Sequence, residues 1–219
     1  MSEETAFRVQ PAAASVQVRR MLPEDVESVV HIHTESFPGF FLSSLGPGFL
    51  RLVYEAVLSD TNGIAVVAER QDSIIGFACG SSAPQGFYRR LFKRQWWKFG
   101  WAAMRAVVCR PSMIRHLLGA VRTRVVPRDD SPAAELMSVA TAPHAQRQGI
   151  GEVLVIRFLS EARRSGAARV TLTTDRHANQ PVNSFYRRLG FTLAASFVTN
   201  TGREMNLYEI NTIIVPDVR

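Results

Sequence analysis

The chain has 219 residues, which is long enough for one well-buried hydrophobic core and short for two independent ones. Apolar residues make up 46% of it and charged residues 21%, values that exclude a wholly disordered chain and a fibre. No apolar run reaches the roughly 18 residues of a membrane-spanning helix, and the acidic N-terminus does not resemble a secretion signal, so we expect a cytoplasmic protein.

The net charge of +7 is concentrated in one segment of the chain. Between Ser73 and Arg128 there are eleven Lys or Arg residues and no Asp or Glu. The stretch at 84–132 also interleaves aromatic with basic residues, and its composition differs from both flanks. We therefore predict a flexible N-terminal tail at 1–15 and a single domain at 16–215, with a basic, aromatic-rich helical insertion at 84–132.

The first half of the domain shows strand and helix periodicities in the order β, α, α, β, β. In chain order we predict a strand at 16–21, a helix from Pro23, a helical corner over 37–50 leading into a second helix that ends near Leu58, and a hairpin of strands at 64–69 and 73–81.

The second half shows the order β, α, β, α, β, β, with Gly166 and Gly190 ending the two helices. We predict strands at 135–141, 169–174, 191–197 and 204–215, helices at 149–165 and 180–189, and a turn at 200–202. These alternating elements place the chain in the α/β class.

The strongest local motif is the loop Gln146-Arg147-Gln148-Gly149-Ile150-Gly151, which joins a predicted strand to a predicted helix. Its two glycines allow close backbone approach, and a helix N-terminus offers free N–H groups and partial positive charge to a diphosphate. The loop lacks the Lys-Ser/Thr of a nucleotide-hydrolysing loop and the third glycine of a dinucleotide fingerprint. By itself it indicates either a phosphate cradle or a simple turn.

A second motif follows at 179–191, with the sequence Asn-Gln-Pro-Val-Asn-Ser-Phe-Tyr-Arg-Arg-Leu-Gly-Phe. The glycine loop, a strand, and then an Asn followed by Phe-Tyr-x-x-Leu-Gly-Phe resemble the GNAT superfamily of N-acetyltransferases. The two motifs span about residues 134–197, and the upstream element order also fits that fold. The resemblance implies a mixed, mostly antiparallel sheet whose central strands splay apart, with flanking helices.

The resemblance also implies acetyl-CoA as co-substrate and a role for each matching residue. Backbone groups of Val139 and Thr141 should pair with the pantetheine arm, and Asn183, with Asn179, should hydrogen-bond the cofactor. Tyr186 matches the tyrosine that protonates the leaving thiolate, a role for which a phenol is chemically suited. The loop amides that should bind the diphosphate are those of Gln146, Arg147, Gln148, Gly149, Ile150 and Gly151.

The general base is less clearly indicated. Thr174 stands where related alanine-acylating enzymes have a glutamate. Glu135, at the start of the strand before the glycine loop, is our first candidate, and Glu35 is the second. A surface role for both carboxylates, with a water chain removing the proton, stays open. His144 and His177 fall in polar loops and are expected to be exposed.

Cys79 and Cys109 lie far from both motifs and form no Cys-x-x-Cys pair, so we expect reduced thiols and no metal site. Without a nucleophile near the motifs, we predict direct acetyl transfer to a primary amine in a ternary complex rather than a covalent enzyme intermediate.

The basic insertion leaves several partners open. It could recognise an anionic acceptor such as a phosphate-bearing amino sugar, contact a membrane surface peripherally through 87–105, or form a solvated face. The rival from another class is a non-catalytic basic module that binds a membrane surface or nucleic acid, and we expect nucleic acid not to be the partner. The acceptor, a small-molecule or peptide amine, and the formation of a homodimer are not determined by the sequence.

Overall fold

The structure, a computed structural model, describes residues 16–85, 87, 132–199 and 202–214. The predicted tail and most of the predicted insertion lie outside these ranges. Numbering only the described elements, the strands are β1 Gln17–Arg20, β2 Gly63–Arg70, β3 Ser73–Ser81, β4 Ala133–Thr141, β5 Arg169–Asp175, β6 Thr192–Val198 and β7 Glu204–Asn211. The helices are α1 Val26–Ser36, α2 Phe41–Ser44, α3 Pro47–Ser59, α4 Ile150–Arg164 and α5 Gln180–Arg188.

The seven strands form one sheet in the order β1-β2-β3-β4-β5-β7-β6. Neighbours pair antiparallel everywhere except at the centre, where β4 and β5 are parallel. The predicted mixed, mostly antiparallel α/β fold is therefore confirmed. No helix in the described ranges is both long and apolar enough to cross a bilayer.

The two central strands separate after a short paired stretch. Only Ala133–Glu135 of β4 pairs with Arg169–Thr171 of β5, although β4 continues to Thr141 and β5 to Asp175. The C-terminal halves of both strands are thus free to diverge, and they leave a wedge between them. This wedge places a ligand site at the carboxyl end of β4.

A bulge in β4 lies just beyond the point where the two central strands part. Leu136 pairs with Gly80 and Ser138 pairs with Cys79, so Met137 is an extra residue without a paired residue on β3. A side chain at position 80 would collide with the Glu135 carbonyl, which explains why glycine stands there. Such a bulge bends its strand, which helps β4 to turn away from β5.

The helices pack on both faces of the sheet. A Cβ atom on Gly76 would touch the Leu154 side chain of α4, whereas the next residue, Phe77, meets His33 of α1 and Tyr54 of α3 through its ring. Because successive strand residues point to opposite faces, α4 covers one face and α1 and α3 cover the other. The wedge between β4 and β5 therefore lies beside a part of the sheet that helices cover on both faces.

The last predicted strand is too long in the sequence-based assignment, which carried it to residue 215. In the structure β7 ends at Asn211, and the chain turns into a short 3₁₀ helix at Thr212–Ile214. The Thr212 hydroxyl donates to the Ala167 carbonyl at 2.7 Å, and the Thr212 N–H donates to the Ala168 carbonyl at 3.0 Å. These bonds divert the backbone from the sheet direction in spite of the β-branched residues that favour a strand.

Candidate active site

A cleft of about 590 Å³ opens at the carboxyl end of β4. The end of α1, the glycine loop with the start of α4, and α5 form its other walls. The lining residues are Ser36, Phe37, Val139, Ala140, Thr141, Ala145, Gln146, Arg147, Gly149, Ile150, Gly151, Glu152, Val182, Phe185, Tyr186 and Arg188. Both sequence motifs thus meet in one cavity.

The glycine loop presents a helix N-terminus to this cleft. Gly149 caps α4 with φ +80°, and Arg147 also adopts a left-handed φ of +59°. Space is open around Gly149, where a Cβ atom would find no neighbour within 4 Å, while one on Gly151 would lie 3.5 Å from the Phe185 ring. The first-turn N–H groups of a helix lack intrahelical acceptors. The loop therefore fits an anionic group such as a diphosphate.

Two glutamine side chains brace this loop. Gln148 accepts a hydrogen bond from the Arg70 guanidinium at 2.7 Å and donates to the His144 carbonyl at 3.1 Å. Gln146 Nε2 donates to the Thr141 carbonyl at 3.4 Å. All residues of the loop except Gln148 line the cleft. The Gln148 side chain instead stabilises the loop through its two hydrogen bonds.

Tyr186 lies in the wall of the cleft and is only 9% exposed. Its ring packs edge-on against Phe185, with centroids 5.1 Å apart, and against Phe191 at 5.5 Å. Burial raises the pKa of the Tyr186 phenol to about 12, because the phenolate would be desolvated. The side chain is therefore a protonated hydroxyl at neutral pH and can donate a proton.

The predicted cofactor strand also borders the cleft through Val139 and Thr141. β4 pairs with β3 on one side, and beyond Glu135 it has no described strand partner on the β5 side. Backbone groups of β4 are thus available to an extended ligand arm lying in the wedge. At the mouth, Ser36 Oγ lies 3.5 Å from the Thr141 carbonyl.

Asn183 lies outside the cleft lining, and its side chain is engaged elsewhere. It is 2% exposed; its Oδ1 accepts from Thr174 Oγ1 at 2.6 Å, and its Nδ2 donates to the Asp175 carbonyl at 3.1 Å. Asn179 precedes α5, and its carbonyl accepts the Asn183 N–H at 3.0 Å. Cofactor binding by these two asparagines stays a prediction, and the structure adds a structural role for Asn183 that the sequence did not indicate.

The two base candidates do not line the cleft. Glu135 stands six residues before Thr141 on β4, which corresponds to about 20 Å of extended strand. The Glu35 side chain is 45% exposed and lies 3.5 Å from His31. Glu152 is the one acid among the described lining residues, and its position in the first turn of α4 puts it beside the anion site rather than on β4.

The two loop histidines lie at the surface. His144 is exposed, and the His177 side chain is 70% exposed and contacts Glu204 at 3.1 Å. The sequence-based expectation of surface positions is confirmed for both.

One histidine is buried on the apolar face of α1. His33 is 3% exposed, and its Nδ1 lies 2.6 Å from the Tyr54 hydroxyl. Desolvation lowers the pKa of His33 to about 4, so the ring is neutral at physiological pH. His33 repeats at helical spacing with Val26, Val29 and Val30, and all four residues are buried.

Cys79 is buried beneath the aromatic cluster of α1 and α3, and burial raises the pKa of its thiol to about 12. Such a thiol is almost wholly protonated at neutral pH and is a poor nucleophile. The described part of the chain contains no group of three or more His, Cys, Asp or Glu side chains that could hold a metal ion.

Comparison with known proteins agrees with this site. The family model described as the acetyltransferase (GNAT) family matches residues 26–191. A mycothiol acetyltransferase from Pseudarthrobacter chlorophenolicus is 41% identical over 79 residues, which cover 35% of this chain and 24% of that protein. The match thus spans about a quarter of the length of this curated relative.

Solved structures share the fold over almost their whole length. The yncA protein from Salmonella typhimurium, solved with its cofactor acetyl-CoA, has a TM-score of 0.58 at 15% identity, covering 90% of this chain and 94% of that one. The PaiA N-acetyltransferase from Thermoplasma acidophilum, solved with coenzyme A, has a TM-score of 0.56 at 16% identity, covering 90% and 99%. The family model covers well over half of the chain and shows that it belongs to the acetyltransferase (GNAT) family, and the solved structures show the same fold.

Proposed function

We propose that this protein transfers the acetyl group of acetyl-CoA to a primary amine by direct attack in a ternary complex. The observation that carries the proposal is the meeting of the glycine loop and the protonated Tyr186 phenol in one cleft. The loop would bind the diphosphate, and the side of β4 at Val139 and Thr141 that has no described strand partner would hold the pantetheine arm.

In this reaction a neutral amine nitrogen attacks the thioester carbonyl carbon, a C–N bond forms and the C–S bond breaks. The leaving thiolate needs a proton, and the amine nitrogen must lose one. Tyr186 would supply the first proton from its hydroxyl. The raised pKa of the Cys79 thiol supports direct transfer, since an acetyl-cysteine intermediate would need a thiolate nucleophile.

Glu135 is our proposal for the group that receives the amine proton. It is the last residue of β4 that pairs with β5, opposite Thr171 at the narrow end of the wedge, and it is half-buried. Its separation from the cleft implies that the proton travels through intervening water rather than by direct contact. Glu35 is the second candidate.

The acceptor is proposed to be a small-molecule or peptide amine. An anionic acceptor, a homodimer and peripheral membrane contact through 87–105 depend on residues of the basic insertion and stay proposals. The rival function, a non-catalytic basic module, has no support from the family match, which runs through both site motifs.

The function is tested by following free thiol release from acetyl-CoA in the presence of primary amines of different charge. Tyramine, spermidine, glucosamine 6-phosphate and a peptide with an N-terminal alanine cover apolar, cationic, anionic and peptide acceptors. We expect at least one amine to raise thiol release above the rate with acetyl-CoA alone, with the acetylated amine identified by mass spectrometry. Failure of the protein to bind acetyl-CoA would contradict the proposal.

A further inference from the structure

The helix that carries Tyr186 is fixed to the end of β5 by Asn183. The Asn183 side chain binds Thr174 through Oδ1 and the Asp175 carbonyl through Nδ2. Tyr186 follows Asn183 by three residues, so both side chains lie on the same side of α5. The end of β5 is therefore joined by hydrogen bonds to the helix face that holds the phenol.

The same residue, Asp175, is bound at its carboxylate by an arginine from another part of the chain. Arg203 Nη2 donates to both Asp175 carboxylate oxygens at 2.7 Å, and Arg203 Nε donates to Oδ1 at 3.1 Å. Arg203 immediately precedes β7, at the end of the β6–β7 connection. A guanidinium that uses two nitrogens on one carboxylate fixes its partner's orientation as well as its distance.

Arg203 also reaches the helical corner between α1 and α2. Its guanidinium carbon lies 5.7 Å from the centroid of the Phe40 ring, within the range of a cation–π contact. Phe40 in turn packs edge-on against Phe37, with ring centroids 5.5 Å apart, and Phe37 lines the cleft. A continuous set of contacts thus runs from the aromatic corner at the cleft to the end of β5 and on to α5.

We propose that Arg203 and Asp175 are positioning residues that couple the aromatic corner of the cleft, Phe37 and Phe40, to the helix that carries Tyr186. This inference rests on the proposed function, because it assigns the coupling to the alignment of acceptor and acid. Ordering of the aromatic corner then aligns the phenol with the reacting atoms, and small misalignments are costly in rate.

The Arg203–Asp175 ion pair is expected to contribute little to the free energy of folding. The Arg203 and Asp175 side chains are 48% and 28% exposed, and ion pairs at such exposure add little to folding free energy. We therefore expect variants of the pair to fold. The neighbouring Arg176 is a matched control, because its side chain is 51% exposed and pairs with Glu204 outside this set of contacts.

The experiment compares Arg203→Ala, Asp175→Asn and their double variant with Arg176→Ala. With the amine of the panel that gives the fastest thiol release, we expect kcat about tenfold lower in each pair variant, no further loss in the double variant, and acetyl-CoA Kd within about twofold of wild type. Arg176→Ala should keep the wild-type kcat. Hydrogen exchange should rise at 37–44 and 180–188 in all three pair variants and stay at the wild-type level in Arg176→Ala.

Unchanged kcat and unchanged exchange in Arg203→Ala would overturn the coupling, as would additive losses in the double variant, which would mean that the two residues act separately. Loss of acetyl-CoA affinity in proportion to kcat would also overturn it, because the pair would then act on the cofactor. Failure of the wild type to bind acetyl-CoA would instead refute the proposed function, and the exchange experiment would still test the contacts.

Discussion

Replacement of Tyr186 by phenylalanine removes the proposed proton donor and leaves the ring. The edge-on contacts with Phe185 and Phe191 involve the ring alone, so the cleft wall should keep its shape. General acid catalysis contributes about 10²- to 10⁴-fold in typical enzymes. The pKa of Tyr186, about 12, lies above the roughly 8.5 of a free thiol, which makes complete proton transfer unfavourable and favours the lower end of that range.

We therefore expect Tyr186→Phe to lower kcat about a hundredfold, which corresponds to about 2.7 kcal/mol of transition-state stabilisation. The Kd of acetyl-CoA, measured by calorimetry, should stay within about twofold. Tyr208→Phe is the matched control, since Tyr208 is 1% exposed on β7 and does not line the cleft. Thiol release by Tyr186→Phe at the rate of the control, or equal losses in kcat and affinity, would refute the assignment of Tyr186 as the acid.

Two further predictions concern ionisable groups away from the cleft wall. The folded-state pKa of His33, about 4, lies below the unfolded value near 6.5, so the unfolded chain binds more protons between these values and stability is lost as the pH falls through them. The free energy of unfolding in urea should be roughly 2 kcal/mol lower at about pH 5 than at about pH 8. This difference should disappear in His33→Gln and persist in the control His31→Gln, because the His31 side chain is 72% exposed. An unchanged pH dependence in His33→Gln would contradict the burial argument. Glu135→Gln should lower kcat/KM for the amine by about tenfold to a hundredfold, whereas Glu35→Gln should stay within about twofold; the reverse ranking would transfer the role of base to Glu35.

The residues that the sequence identified most securely are those whose role depends on local chain geometry. Gly149 must adopt a left-handed φ at the start of a helix, and Tyr186 follows from the helical motif around it. The positions of the strands along the chain are also indicated by short alternating runs, whereas their order in the sheet comes from the structure. That both motifs serve one cofactor was implied by their resemblance to the GNAT family, and the structure brings them together in one cleft.

Side-chain contacts between residues far apart in the chain could not be predicted from the sequence in the same way. The His33–Tyr54 bond joins residues 21 positions apart, and the salt bridge between Asp175 and Arg203 spans 28. Neither pair has a characteristic spacing, because its distance depends on how helices and connections pack. The hydrogen-bond partners of a polar side chain such as Asn183 cannot be predicted from spacing either, because its bond to Thr174 forms only when α5 lies against β5.

Calorimetric titration of acetyl-CoA tests most directly whether the glycine loop binds the diphosphate of this cofactor. The titration compares the wild type with Gly149→Trp and Gly166→Trp. Gly166 is the control because it has a similar φ of +83°, equally open surroundings and a place just beyond the other end of α4. We expect saturable micromolar binding, of about −8 kcal/mol, in the wild type and in Gly166→Trp, and none in Gly149→Trp. Wild-type affinity in a folded Gly149→Trp variant, or no binding to the wild type, would contradict the account.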